Sequence, residues 1–444
     1  MKTPPDPDPG LAVVTGPDDD IAEPAISDAA VTAAAPEVLA NSLGEYFAAW
    51  GRRIRNGESG ALPVLVGLVV IVIFFQIEQS KFLTAGNVVN LLVQATVFIM
   101  FGAAEIFALL LSEIDLSIGY GAGVGAFVIA ELIAPPVSLP WWLGILGGLA
   151  AMAFLGFVQG SLITRLSLPS FVVTLGGSLA FLGLMLELAN VDKTAVGGVI
   201  TIDPNSPVYK LVQASMSTAL GWTVLVVSLA IFAGVMLLRT SRRRAQGLTV
   251  PPLGITLLTI VVTAIGGIVL MLICSANRGS ALVNLNGVPW VIPVVIVILL
   301  AYSWLLGRTR LGRYIYAIGA NPEAARRAGI NVKRVKTIAF MLVSMTAAIA
   351  GLIYESTLGS MSTDINGGQY VLYAVAAAVI GGTSLFGGRG KPLHALLGGI
   401  VIATVFNGLG LMGISAAGTD IATAIVLIAA VTLDSLVRRR ASVR

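Results

Sequence analysis

Apolar positions in this chain fall into long unbroken runs, with polar residues confined to the intervals between them. Twelve such runs lie near residues 60–77, 88–111, 118–134, 139–160, 171–189, 218–238, 253–276, 288–306, 338–355, 370–384, 393–411 and 421–437. A helix needs about 20 mostly apolar residues to cross a bilayer, and most of the runs meet that length. The second, third and tenth are the ambiguous ones. "SEIDLS" (112–117) brings charge close to membrane depth between the second and third, and glycines interrupt the tenth early. The pattern predicts an all-α polytopic membrane protein with ten to twelve transmembrane helices, some of them broken. Ahead of the first run, residues 1–35 are rich in proline and acid and lack the apolar core of a signal peptide, so they read as a disordered tail. In residues 36–56, Leu39, Leu43, Phe47, Trp50 and Ile54 recur at helical spacing before three arginines. That spacing fits either an amphipathic helix lying in the membrane interface or a tail helix packed on the protein.

Composition sharpens this picture. With 56% hydrophobic and 11% charged residues and a mean hydropathy of +0.91, the chain could not cover itself with polar surface in water. Its 50 glycines suit helices that approach closely in lipid, where no hydrophobic effect drives them together. One cysteine, Cys274, excludes an internal disulfide, and one histidine, His394, excludes a histidine-based metal cluster, so no metal site is expected.

The charges set an orientation. If the N-terminus is cytoplasmic and each run crosses once, 23 of the 27 Lys and Arg residues fall inside and four, Lys81, Lys193, Lys210 and Arg278, fall outside. The positive-inside rule supports that arrangement, with both termini cytoplasmic and a basic tail at 438–444. A transport domain then occupies 57–437. Its longest outward connection, from Asn190, is polar enough to form a small external lid, and its largest inward one, 307–337, is too long and too charged for a turn.

"GGTSLFGGRGKP" (381–392) looks like a phosphate-gripping loop and is not one. The nucleotide motif needs a glycine five residues before Gly390 and a hydroxyl after Lys391, and the chain has Leu385 and Pro392 there. Gly381, Gly382, Gly387, Gly388 and Gly390 are better read as residues that break a membrane helix and let it turn or pack tightly.

Within 307–337, Asn321 can cap a helix, Pro322 suits its first position, Glu323 complements its dipole, and Gly329 suits its end. Such a helix, with Arg326 and Arg327 exposed, could be a lever for a soluble partner, or its basic residues could anchor the loop to an anionic surface. "EAARRAG" (323–329), the longer "GRYIYAIGANPEAARRAGINV", "LLLSEIDLSIGYGAGVGAF" and "AVAAAVIGGTSLFGGRGKPLHALLGGIVIATVFNGLGLMGIS" occur in order over residues 80–437. Together they resemble the permease subunits of ABC sugar importers of the ribose, arabinose and xylose type, the xylose branch most. The chain departs in two places: "KTIAFML" stands where the wider importer motif continues Ile-x-Leu-Pro, and Glu113 stands where the sugar family usually has glycine.

The resemblance implies a multi-pass protein of the bacterial cytoplasmic (inner) membrane that imports a monosaccharide, a pentose such as xylose, by alternating access. It implies no catalytic residue and no cofactor on this chain, with ATP and magnesium on a dimer of partner ATPase subunits. It implies as further partners an extracytoplasmic sugar-binding protein, a second permease copy and the lipid bilayer, and no nucleic acid. Asn321, Pro322, Glu323, Ala324, Ala325, Arg326, Arg327 and Gly329 would then couple to the ATPase.

A neutral sugar needs hydrogen-bonding groups along its path. Asn87, Asn90 and Gln94 share one helix face, and either line a pathway or bond between helices. Glu105, Glu131, Glu187, Asn407 and Asp434 are polar groups inside apolar runs, with Glu105 and Glu187 placed deepest. Asp115 heads the glycine-rich "GYGAGVG" helix, where it can cap, act on substrate, or do both. Gly144 with Gly148 and Gly156 with Gly160 are small-residue pairs suited to helix packing. An ion-coupled secondary sugar transporter, using Glu105 and Glu187, is the alternative reading. A membrane enzyme such as a glycosyltransferase would want clustered acids or histidines, which the chain lacks.

Overall fold

The computed structural model describes residues 62–191, 199–248, 250, 252–279 and 285–425, with residues 44, 428 and 432 standing alone. The predicted tail, the interfacial stretch apart from Gly44, and Asp434 lie outside the described residues. In chain order the elements are α1 (Leu62–Glu78), α2 (Ala85–Leu109), α3 (Ile118–Ile133), α4 (Trp141–Arg165), α5 (Ser170–Val191), β1 (Val199–Thr201), α6 (Pro207–Gln213), α7 (Thr218–Ala245), α8 (Leu253–Ser275), α9 (Val291–Arg308), α10 (Arg310–Ala320), α11 (Pro322–Arg327), α12 (Val332–Leu358), β2 (Ser360–Ser362), α13 (Gly367–Ile380) and α14 (Pro392–Leu411). Residues 416–425 are helical as well. Eight described helices are long and apolar enough to cross a membrane, and α1, α3 and α13 are shorter apolar helices. The chain is an all-α polytopic membrane protein.

Two of the three ambiguous runs are indeed short helices, α3 and α13, while the second run is a full-length helix, α2. The connection 307–337 differs most from expectation. It is mostly helical, because α9 runs on to Arg308, α12 begins at Val332, and α10 fills the space between with Gly312, Ile315, Ile318 and Gly319 buried on one face. Its glycines and arginines mask a stripe that recurs every three to four residues.

The centre of the bundle is built from two similar units. In each, a long helix (α2, α12) leads through an irregular strap (110–117, 359–366) into a short helix (α3, α13) and then a longer one (α4, α14). The units exchange partners: α3 and α4 pack on α12, α13 and α14 pack on α2, and α2 lies against α12. They also run in opposite senses. The residues that leave α2 sit beside the start of α12, where Glu113 pairs with Lys336, and beside the α13–α14 turn and α10, with Gly388 N–H donating to the Leu110 carbonyl at 3.0 Å and Gly319 against the same carbonyl. Inverted repeats of this kind are common in transporters, with broken helices near the midplane.

Glycine makes the close crossings possible. On α4, a Cβ at Gly144 or Gly148 would stand 2.4 or 2.3 Å from Ile133 or Ile129 of α3, and one at Gly156 or Gly160 would meet Phe340 O at 2.6 Å or Thr337 Cα at 2.8 Å of α12. The two small-residue pairs therefore seat one helix on two neighbours. Where α3 crosses α12, Gly351 allows its backbone onto the Ala122 carbonyl, which a Cβ would approach to 2.0 Å.

At the end opposite α11, β1 pairs antiparallel with β2, Val199 against Ser362 and Thr201 against Ser360. Gln213 at the end of α6 donates to the carbonyls of Ser356 and Thr357 at 3.1 and 2.9 Å. The outward connection is thus tied to the last turn of α12.

Candidate functional site

The basic end of the bundle is held by backbone contacts that only small residues permit. In the 381–391 turn, Gly382, Gly387 and Gly388 take positive φ of 110°, 82° and 67°, a region costly for other residues. The turn hydrogen-bonds to its neighbours: Ser112 Oγ donates to Phe386 O at 2.8 Å and the Tyr316 hydroxyl to Gly390 O at 2.7 Å. Burial pushes the Tyr316 phenol pKa up, which keeps it a donor. His394 is half-buried and bonds through Nδ1 to Thr383 Oγ at 3.2 Å, so it fastens α14 to the turn.

Against this fixed base, α11 stands clear. Asn321 Oδ1 accepts from Ala324 N at 2.9 Å, Pro322 holds the first position, and Gly329 follows the Ala328 C-cap with φ of +82°. Ala325 is buried at 4% exposure; Asn321, Pro322, Glu323, Ala324, Arg326, Arg327 and Gly329 are all exposed. Glu323 pairs with Arg326 at 2.8 Å and Arg327 at 3.5 Å. Exposed pairs of this type contribute about 0–1 kcal/mol each. The helix therefore rests on one small buried side chain and offers its polar face outward. Beside it lies a cleft of about 340 Å³ between the α4–α5 turn and the first turns of α12.

Deeper in, the two straps are each pinned by a buried glutamate of the preceding helix. Glu105 Oε1 accepts from Asp115 N at 3.4 Å, and Glu355 Oε2 accepts from Ser362 N at 3.1 Å. Both glutamates and Asp115 are 0% exposed. Asp115 Oδ1 accepts from Ser117 N at 2.8 Å and Ser117 Oγ at 2.6 Å, and Gln159 Nε2 donates to Ser117 Oγ at 2.9 Å. Asp115 therefore orders the turn that starts α3. Glu105 Oε2, Asp115 Oδ2 and Glu355 Oε1 have no hydrogen-bond partner among the described residues. Buried ionisable groups with an unpaired oxygen are costly in a membrane protein, which makes these three candidate functional positions.

The Asn87, Asn90, Gln94 stripe separates. Asn87 exchanges two hydrogen bonds with Asn407 of α14, at 2.8 and 3.0 Å, and donates to Phe82 O at 2.8 Å, whereas Asn90 is exposed and Gln94 is half-buried. Asn87 and Asn407 join two helices, the interhelical bonding that polar residues in membranes often make. Glu187 is exposed on the surface of α5, unlike the buried Glu105, and Glu131 is half-buried near the end of α3.

Several polar groups escape a reading from sequence. Glu355 belongs with Glu105 by the same rule, an acid inside an apolar run. Gln159 sits in "GFVQG", between two glycines that suit helix packing. Around the start of α13, Tyr370 stacks on Phe101 at 4.9 Å and meets Tyr354 and Tyr373 edge-on at 5.0 and 5.9 Å. Gln369 bonds to Asp420, and the Tyr373 hydroxyl donates to the same carboxylate at 3.1 Å. Residues 47 to 51 apart in sequence leave no local signal of this cluster.

Among the described residues no group of three or more His, Cys, Asp or Glu could hold a metal ion. Residues 87–431 match a protein family described as the permease component of a branched-chain amino acid transport system. The xylose transport system permease protein of Escherichia coli strain K12 is 34% identical over 85% of this chain and 92% of its own length. The corresponding protein of Haemophilus influenzae is 30% identical over 84% and 95%. The ribose import permease protein of Escherichia coli strain K12 is 27% identical over 84% and 92%. No solved structure matches the chain. With a family match over most of the molecule, and relatives at this identity spanning nearly their full length, the chain belongs to this family of transport-system permease components.

Proposed function

We propose that the chain is the membrane-spanning subunit of an ATP-driven, binding-protein-dependent monosaccharide importer of the cytoplasmic membrane, carrying a pentose such as xylose by alternating access. The observation that carries this is α11, a capped helix resting on the single buried side chain of Ala325, with the other eight residues of 321–329 exposed at the basic end. A surface so lightly held suits an external partner that pushes on it. An ATPase dimer is that partner; it holds ATP and magnesium, since this chain carries no phosphate-binding motif. The sugar-binding protein meets the opposite end, around β1, α6 and β2, and a second copy of the permease completes the pathway.

The buried, partly unpaired Glu105, Asp115 and Glu355 favour a second reading, an ion-coupled transporter that needs no ATPase. Uptake of radiolabelled xylose into vesicles containing this chain, its ATPase and its binding protein separates the two. Under the importer reading uptake requires internal ATP, survives ionophores, and collapses in the Glu323→Ala, Gly329→Pro double variant. Uptake that proceeds without the ATPase and stops with an ionophore would replace that reading by the ion-coupled one.

A further inference from the structure

We infer that the Glu113–Lys336 ion pair transmits movement of α11 to the strap that positions α3. This rests on the importer reading above and names the contact through which the coupling helix reaches the membrane interior.

The two sides of the link are each stiff. On one, α11 is joined to α12 by only residues 328–331, closed by Ile330 N–H on Ala325 O at 3.1 Å and by Asn331 Oδ1 accepting from Arg334 N at 3.0 Å. Lys336 lies in the second turn of α12, so it moves with α11. On the other side, Glu113 N–H is anchored on Ala108 O at 3.1 Å. Two residues later Asp115 enters the buried chain of Glu105, Ser117 and Gln159 that starts α3. Between these two parts the Lys336 Nζ and Glu113 Oε1 atoms form an ion pair, with side chains only 19% and 15% exposed. The cleft beside the pair, bounded by Thr164, Ser167, Pro169, Arg326 and Lys333, leaves room for the two parts to shift.

Burial decides the strength of the link. A pair this sheltered is screened little by salt, and removing one partner leaves the other charge poorly solvated. By contrast, the exposed Glu323 pairs on α11 itself can break and re-form freely. Lys336 and Glu113 are positioning residues, acting on the pathway through Asp115 and Ser117.

The test is a double-mutant cycle on the complete complex in proteoliposomes, reading sugar molecules moved per ATP hydrolysed for the wild type, Glu113→Gln, Lys336→Met and both together. Each single change is expected to lower that ratio about tenfold while hydrolysis continues, within the range typical of coupling between sites. The double variant is expected to fall no further than either single one. Losses that multiply in the double variant, or single variants with the wild-type ratio, would overturn the inference. Lys336→Arg keeps the charge and is expected to keep the ratio. If it fails as fully as Lys336→Met, packing and not the ion pair carries the effect, and the inference falls. A wild-type complex whose uptake ignores ATP would instead sink the importer reading on which this rests.

Discussion

Residues of one type do different things here, and the surroundings decide which. Gly319 and Gly329 lie ten positions apart. The first is required because a Cβ would stand 1.7 Å from the Leu110 carbonyl; the second faces open space and is required by its φ of +82°. The asparagines divide in the same way. Asn87 and Asn407 satisfy each other across α2 and α14, while Asn90, one turn further on, is exposed. Removing both members of the bonded pair should cost less than the sum of the two single losses, with Asn87→Ala the larger of these because Asn87 also donates to Phe82 O. A cycle of Asn87→Ala, Asn407→Ala and the double variant, followed by thermal unfolding in detergent, should give a coupling of about 0.6 kcal/mol and at most about 1.7 kcal/mol. Asn90→Ala should stay within about 0.5 kcal/mol of the wild type. Fully additive losses at Asn87 and Asn407 would mean that the bond between them contributes nothing.

At the scale of elements, α11 is lightly supported, since Ala325 is its one buried side chain. A carboxylate at that seat could not stay buried without a partner. Ala325→Asp should lift the helix, raising amide hydrogen exchange across 324–328 by at least about tenfold, the equivalent of about 1.4 kcal/mol of local stability. Unchanged exchange would show that the caps at Asn321 and Gly329 hold the helix without its seat. The caps themselves were readable because capping is a local matter of side chain and backbone a few residues apart. The same holds for the long apolar helices and for the glycine turn at 381–391. What local patterns could not reveal was α10, whose buried stripe is interrupted by arginines, and the pairing of Asn87 with Asn407, separated by 320 residues. The strap contacts of Glu105 and Glu355 were hidden in part for another reason: an acid in an apolar run signals cost but not partner.

For the whole molecule, the two inverted units place comparable structures at opposite ends. The strap of α2 faces the end that carries α11, and the strap of α12 faces the end that carries β1, β2 and α6. Their buried glutamates differ in the same sense, Glu105 turned toward one end and Glu355 toward the other. Each of the short helices α3 and α13 is entered through a strap and not from a continuous helix. The geometry makes a sidedness claim that chemistry can check. Lys333 lies at the α11 end and Asp364 on the strap at the opposite end, and both are exposed, whereas the native Cys274 is buried. In a Cys274→Ala background, Lys333→Cys should react with a membrane-impermeant maleimide only in inside-out vesicles and Asp364→Cys only in right-side-out vesicles. That outcome would place the basic end in the cytoplasm, the side that the positive-inside sorting of 23 of 27 basic residues favours. Labelling of both cysteines from one side would break the inverted arrangement itself, since α12, which separates Lys333 from the strap at Asp364, would then not span the membrane.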